Sequence, residues 1–200
     1  MKDQEEVEEE DAQEADQGVD PARDALQAGC DSGWRRLNRP SGGWCVRAFG
    51  GVLNQPDAET QCKSYGATLS SLQNMEEARS ISRWALSALG KPSGSLWIGA
   101  RRFPRCRLQP LTATCTALNS FDMTDHSATG LAGFVWSPQQ PDNSQSKQDC
   151  VIILSARAPV TVKNVVWPLA MLDDVGCHPG VGDTSPRAVS GYVCGKKATQ

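Results

Sequence analysis

The chain has 200 residues, 39% of them hydrophobic, with eight cysteines, two histidines and a formal net charge of −3. That length suits one domain with a tail or two very small domains, and the modest apolar content calls for covalent staples to help the core. No segment approaches the roughly 18 apolar residues of a membrane span, and without a C-x-x-C pair a structural zinc site is a poor reading.

The charge is split along the chain. Residues 1–20 hold ten Asp or Glu and one Lys, a net of −9, and the remainder carries +6. Residues 1–28 contain almost no large apolar side chain and are expected to be a disordered acidic tail, or a pro-segment that masks the basic body. An even number of widely spaced cysteines argues for disulfides, hence an oxidising compartment and a secreted protein. The start Met1-Lys2-Asp3-Gln4 shows no signal peptide. The cysteines outweigh that, so a trimmed precursor or truncated gene model is expected.

From Gly29 the texture is globular. Cys30 and Cys45 flank a stretch with Trp34 and Trp44 that reads as a small stapled hairpin. Gln55-Pro56-Asp57 opens a helical pattern through Cys62 and Tyr65, stopped by Gly66. Asn74 with Glu77 three residues on resembles a capping box, and Ala78, Ile81, Ala85 and Leu89 line one face of a second helix ended by Gly90 and Pro92. Leu96-Trp97-Ile98-Gly99 reads as a buried strand, with further strands at 134–136, 150–154, 165–167 and 192–194. Helices first and strands later predict an α+β fold rather than a βαβ alternation.

One constellation points to binding chemistry. Gln140-Pro141-Asp142-Asn143, Cys150, and Asp173-Asp174 before Cys177 bring carboxylates and side-chain amides together around two cysteines. A hard divalent cation, above all Ca²⁺, needs such a set of oxygen donors. The plainer reading of the tetrad alone is a polar surface turn.

As a set, these motifs resemble the C-type lectin-like domain. The match rests on Cys62, Gly66-Ala67-Thr68-Leu69, Asn74 with Glu77-Ala78, Leu96-Trp97-Ile98-Gly99-Ala100, Trp136, Gln140-Pro141-Asp142-Asn143, Cys150-Val151, Asp173-Asp174-Val175-Gly176-Cys177 and Gly191-Tyr192-Val193-Cys194. It covers about residues 29–197, leaving 198–200 as a short tail, and the segment from Cys106 to Trp136 looks like a longer invertebrate version of the domain. The resemblance implies two helices packed on small antiparallel sheets, with a long irregular ligand-binding loop region. It also implies bridges Cys62–Cys194 and Cys150–Cys177, and Cys30–Cys45 as the extra bridge of long-form domains. Cys106 and Cys115 are then left to each other. Sequence alone cannot choose among the 105 connectivities of eight cysteines.

In calcium-binding members, a Glu-Pro-Asn or Gln-Pro-Asp loop and a Trp-Asn-Asp segment hold one Ca²⁺ that coordinates sugar hydroxyls. The resemblance therefore implies Gln140, Asp142, Gln148, Asp173 and Asp174 as ligands of both Ca²⁺ and carbohydrate. Gln-Pro-Asp is similar to the galactose-type order. Here Gln148 replaces a carboxylate, Asp173 replaces an amide, and Leu172 stands where the family has Trp. An ionised carboxylate accepts hydrogen bonds but cannot donate to a hydroxyl, which alters sugar recognition. No aromatic follows Asp142 to stack beneath a galactose ring. Asp149 stands where some relatives bind a second Ca²⁺; a capping or surface role is the alternative.

Arg101, Arg102, Arg105 and Arg107 surround Cys106 and form a candidate anion-binding loop, against the plainer reading of a solvated basic loop. His126 and His178 lie in polar loops with nothing resembling a triad around them, so no enzyme is expected. The leading expectation is a secreted Ca²⁺-dependent lectin of extracellular glycan recognition or defence. The alternative is a calcium-independent domain that binds a protein or anionic surface, a polyanion included, through the Arg-rich loop. Neither nucleic acid nor a membrane span is expected. Oligomeric state is left open; avidity would matter for weak single sites.

Overall fold

The structure, a computed structural model, describes residues 28–179 and 182–199. The acidic tail expected at 1–28 therefore lies outside the described residues, apart from Ala28.

Strands β1 (Arg35–Arg39) and β2 (Gly42–Gly50) form a hairpin, register Arg39 opposite Gly42, joined by Pro40-Ser41. Helix α1 (Gln55–Ser64) starts at Asn54, whose side chain accepts from the Asp57 N–H at 2.8 Å, with Pro56 in its first turn. Helix α2 (Met75–Leu89) is capped by Asn74, which accepts from the Glu77 N–H at 2.9 Å, and ends at Gly90 in the left-handed conformation. The capping box is half formed: Glu77 is buried and its carboxylate pairs with Arg39 instead of reaching back to Asn74.

Strands β3 (Thr68–Leu69), β4 (Ser93–Arg102), β5 (Phe121–Met123), β6 (Cys150–Ala156), β9 (Leu172–Val175) and β10 (Val189–Lys197) complete the main sheet. Its order is β1-β2-β10-β4-β6-β9, with β3 on β10 and β5 on β4. Only the β10–β4 pair is parallel among the described residues. Strands β7 (Val160–Val162) and β8 (Val165–Trp167) form a separate hairpin.

Helix α2 lays Ala78, Ile81, Ala85 and Leu89 over one core face, with Leu96, Ile98, Val151, Ile153 and Leu172. The other face of β4 presents Trp97 to a second cluster with Cys62, Leu69, Ile152 and Tyr192. Gly99 is required where it stands: a Cβ there would lie 2.1 Å from the Leu69 carbonyl oxygen, because β3 crosses close against β4. The bridges are Cys30–Cys45, Cys62–Cys194, Cys106–Cys115 and Cys150–Cys177.

One expected strand does not form. Residues 134–136 form no strand: a turn at Ala132-Gly133 brings the Phe134 N–H to the Leu131 carbonyl, and Trp136 makes only an isolated bridge to Leu172. Tight approach explains it, since a Cβ on Gly133 would lie 1.8 Å from the Leu72 oxygen. The strand expected at 165–167 forms as β8, with Val165 and Val166 exposed on the separate hairpin.

Candidate functional site

Three strands position the centre of the site. Register sets Arg101 opposite Cys150 and Val151 opposite Asp174, so β6 lies between Arg102 at the end of β4 and Asp174 in β9. Both side chains are buried, and the Arg102 Nη2 donates to Asp174 Oδ2 at 2.5 Å. The Arg102 Nε donates to the Gln148 carbonyl at 2.9 Å, and the guanidinium covers the Phe121 ring at 4.4 Å.

The loop carrying Gln140 to Gln148 closes over the same carboxylate. Backbone N–H groups of Asp142 and Asn143 donate to Asp174 Oδ1 at 3.0 Å and Oδ2 at 2.8 Å. The Gln140–Pro141 peptide is cis. Asn143, at φ 46°, tolerates the left-handed turn that bulkier residues avoid. Its buried side chain braces the loop, donating to the Gln109 carbonyl at 2.6 Å and accepting from the Gln148 N–H at 3.0 Å. Asp142 is exposed, and its Oδ1 accepts from the Ser144 N–H at 3.0 Å; Gln148 Oε1 accepts from the same N–H. Asp173 pairs with Arg187, whose guanidinium stacks 3.3 Å above the Trp167 ring.

Electrostatics follow from burial. Loss of solvent pushes the Asp173 carboxyl up to about 6, opposed by Arg187. Burial likewise raises Asp174 against the N–H groups of Asn143 and Asp142 and the charge of Arg102, and it lowers Arg102. Desolvation outweighs attraction at both ends of the pair, as buried ion pairs generally show.

Gln140, Asp142, Gln148, Asp173 and Asp174 thus come to one loop region, but their oxygens do not converge on a cation. Ca²⁺ requires six to eight oxygens, several of them charged. Both oxygens of Asp174 accept N–H donors and one carries a guanidinium. Asp173 is turned to Arg187, and Gln148 to Ser144. Among the described residues no group of three or more His, Cys, Asp or Glu is arranged to hold a metal ion. One atom points the other way: Gln140 Oε1 is buried without a hydrogen-bond partner among the described residues. As arranged, the set does not fit Ca²⁺.

The four arginines around Cys106 do not share a surface. Arg102 is buried in the site, and Arg101 is half-buried and donates to Gln55 Oε1 at 3.1 Å. Arg107 pairs with Asp149 at 3.3 Å, and Arg105 lies over Phe103. Arg102 is therefore corrected from anion binder to internal counter-ion, because strand alternation turns it inward. Arg102, Asn143 and Arg187 are the site residues that motif reading missed or misassigned. The signal for Arg102 is period-2 spacing: Leu96, Ile98, Ala100 and Arg102 fall on one face of β4, and all four are buried.

A cis-proline loop seated on a carboxylate strand, two helices on one mixed sheet and four bridges define a lectin-like binding domain. The chain belongs to the C-type lectin domain family: the family model described as C-type lectin domain-containing protein 141/158 matches residues 35–197. It is 29% identical over 128 residues to the C-type lectin Cal of Crotalus atrox, covering 63% of this chain and 81% of that one. To the C-type lectin BJcuL of Bothrops jararacussu it is 28% identical over 130 residues, covering 63% and 69%. Solved structures of the same fold include the C-type lectin CEL-I from Cucumaria echinata, with a TM-score of 0.55, 19% identity, and 83% and 96% of the two chains covered. A calcium-independent type II antifreeze protein gives 0.52, 19%, 85% and 95%. The family is generally one of non-enzymatic binding proteins, and no helix among the described residues is long and apolar enough to cross a membrane.

Proposed function

We propose that this chain is a non-catalytic extracellular recognition domain whose loop region works without bound Ca²⁺. The observation that carries the reading is the Arg102 guanidinium against Asp174: a permanent positive charge supplies the counter-ion that a metal supplies in calcium-dependent members. Ligand contact then falls to side chains directly, with a protein or anionic surface as the partner class. Arg105 is the exposed member of the four arginines without an ion pair among the described residues. The four disulfides support an oxidising, extracellular setting.

The expected Ca²⁺-dependent, galactose-type glycan site at Gln140, Asp142, Gln148, Asp173 and Asp174 is the second reading. The unpartnered Gln140 Oε1 favours it, since a cation would satisfy that atom. Thermal unfolding of the full chain in EGTA and in millimolar Ca²⁺ separates the two. The first reading expects a shift within about 1 °C, and a ligand at 100 times its Kd would instead add about 2.7 kcal/mol and move the midpoint by several degrees. Glycan retention that EGTA abolishes would establish the second reading.

A further inference from the structure

A groove of about 290 Å³ runs between the β1–β2 hairpin and the C-terminal half of α2, far from the loop site in sequence. Its floor is apolar, with Val46, Ala48, Ile81 and Ala88. Its walls carry two exposed guanidiniums. That of Arg35 lies 4.9 Å over the Trp84 ring, and that of Arg47 lies 4.9 Å over Phe49. The ion pairs of the described residues engage Arg39, Lys63, Arg102, Arg107, Arg187 and Lys196, and so leave both Arg35 and Arg47 without a carboxylate. No acidic residue lines the groove. Ten planar N–H donors around an apolar floor make a seat for carboxylates with an apolar group between them.

We propose that this groove is the docking site of the chain's own acidic run, residues 3–11. That run holds seven carboxylates and a single aliphatic side chain, Val7, flanked by Glu5-Glu6 and Glu8-Glu9-Glu10. Its composition matches the groove: one aliphatic side chain for the apolar floor, with glutamates on either side for Arg35 and Arg47. Charge complementarity favours this occupant, because residues 1–20 carry −9 and the remainder +6. Connectivity favours it too. The Ala28 carbonyl accepts from Arg36 Nη1 at 2.5 Å on the face of β1 opposite to Arg35, and Gly33, five residues further on, lines the groove. A connection as long as residues 12–27 reaches at most roughly 50 Å, beyond the ~16 Å radius of gyration expected for such a body. Tethering of this kind gives an effective concentration on the order of millimolar, so a weak contact suffices.

Cleavage by endoproteinase Glu-C after Glu8–Glu10 in the full chain tests the proposal at low salt, about 20 mM, where screening is weak. Arg35→Ser/Arg47→Ser is expected to speed cleavage about fivefold or more, and about 500 mM salt is expected to bring the parent to the same rate. Arg79→Ser/Arg83→Ser removes the same charge from exposed α2 positions outside the groove, and is expected to leave the rate within about twofold. Equal rates in the parent and the Arg35/Arg47 variant, or equal acceleration by both variants, would overturn docking. A second measurement leaves the body untouched: Glu5, Glu6, Glu8 and Glu9→Gln is expected to shift the Trp84 indole N–H resonance. An unmoved resonance overturns the proposal as well.

Discussion

Arg102 and Asp174 stand 72 residues apart and on strands that are not neighbours, yet their side chains meet past the end of β6. The contact ties β4, β9 and the 140–148 loop together, because Asp174 also receives the Asp142 and Asn143 N–H groups and Arg102 holds the Gln148 carbonyl. Removing one member leaves a buried charge without its partner. Arg102→Ala is therefore expected to cost about 3–5 kcal/mol in urea unfolding. Lysine should restore only part, since an ammonium lacks the fork that reaches two acceptors. Arg102→Met/Asp174→Asn should be less damaging than the sum of its single changes, and strict additivity would show that the two groups are not coupled.

A second prediction concerns the metal. Gln148→Glu returns a carboxylate, and Arg102→Gln removes the competing cation and frees Asp174. That double variant is expected to gain Ca²⁺ sensitivity, with a midpoint rise of about 3–10 °C in 10 mM Ca²⁺ if affinity falls in the millimolar to sub-millimolar range of extracellular sites. Gln148→Glu alone should respond little. A full response from the single change would mean that Arg102 is no barrier to the ion.

Much of the fold was legible, for local reasons. Asn74 and Gly90 act as caps because cap chemistry depends on few neighbours. Trp97-Ile98-Gly99 marks β4 because both faces are buried and the glycine admits β3. What misled was partner choice across distance. Glu77 has cap spacing but turns to Arg39, in a buried network with Asp125 and Ser127 that no local pattern announces. The ligand set was read from tripeptides, and the guanidinium that engages Asp174 comes from a strand 72 residues earlier. Alternation along β4 contained that signal, and the charge of the Arg cluster obscured it.

Asp173 makes a pH prediction. Burial raises its carboxyl from 3.8 to about 6 despite Arg187, so the folded state binds the proton more tightly than the unfolded chain does. Stability from this group is full below about pH 3.8 and is lost as pH rises through about 6. A shift of that size corresponds to about 3 kcal/mol. Asp174 and Glu77 are raised by burial in the same sense. The protein is thus expected to unfold at higher urea at pH 5 than at pH 7.5, and Asp173→Asn should reduce the difference. An unchanged difference would locate the titration elsewhere.

The last prediction ranks the bridges. Cys62–Cys194 spans 132 residues and joins α1 to β10, whereas Cys106–Cys115 spans nine within one surface loop. In the chain-entropy treatment, cross-linking the longer loop stabilises by roughly 5 kcal/mol and the shorter by about 2.6 kcal/mol. Packing sharpens the contrast, because Cys62 and Cys194 lie in the core cluster with Trp97 and Leu69, where their removal also leaves a void, whereas Cys106 and Cys115 are buried but belong to neither core cluster. Paired Cys→Ala variants are expected to keep that order in denaturant unfolding. The Cys106/Cys115 variant should remain folded at 37 °C, and the Cys62/Cys194 variant should lose most of its stability. The reverse order would mean that the 103–120 loop, which carries Phe103 and Gln109 to the Arg102–Asn143 region, matters more to the fold than the long-range staple.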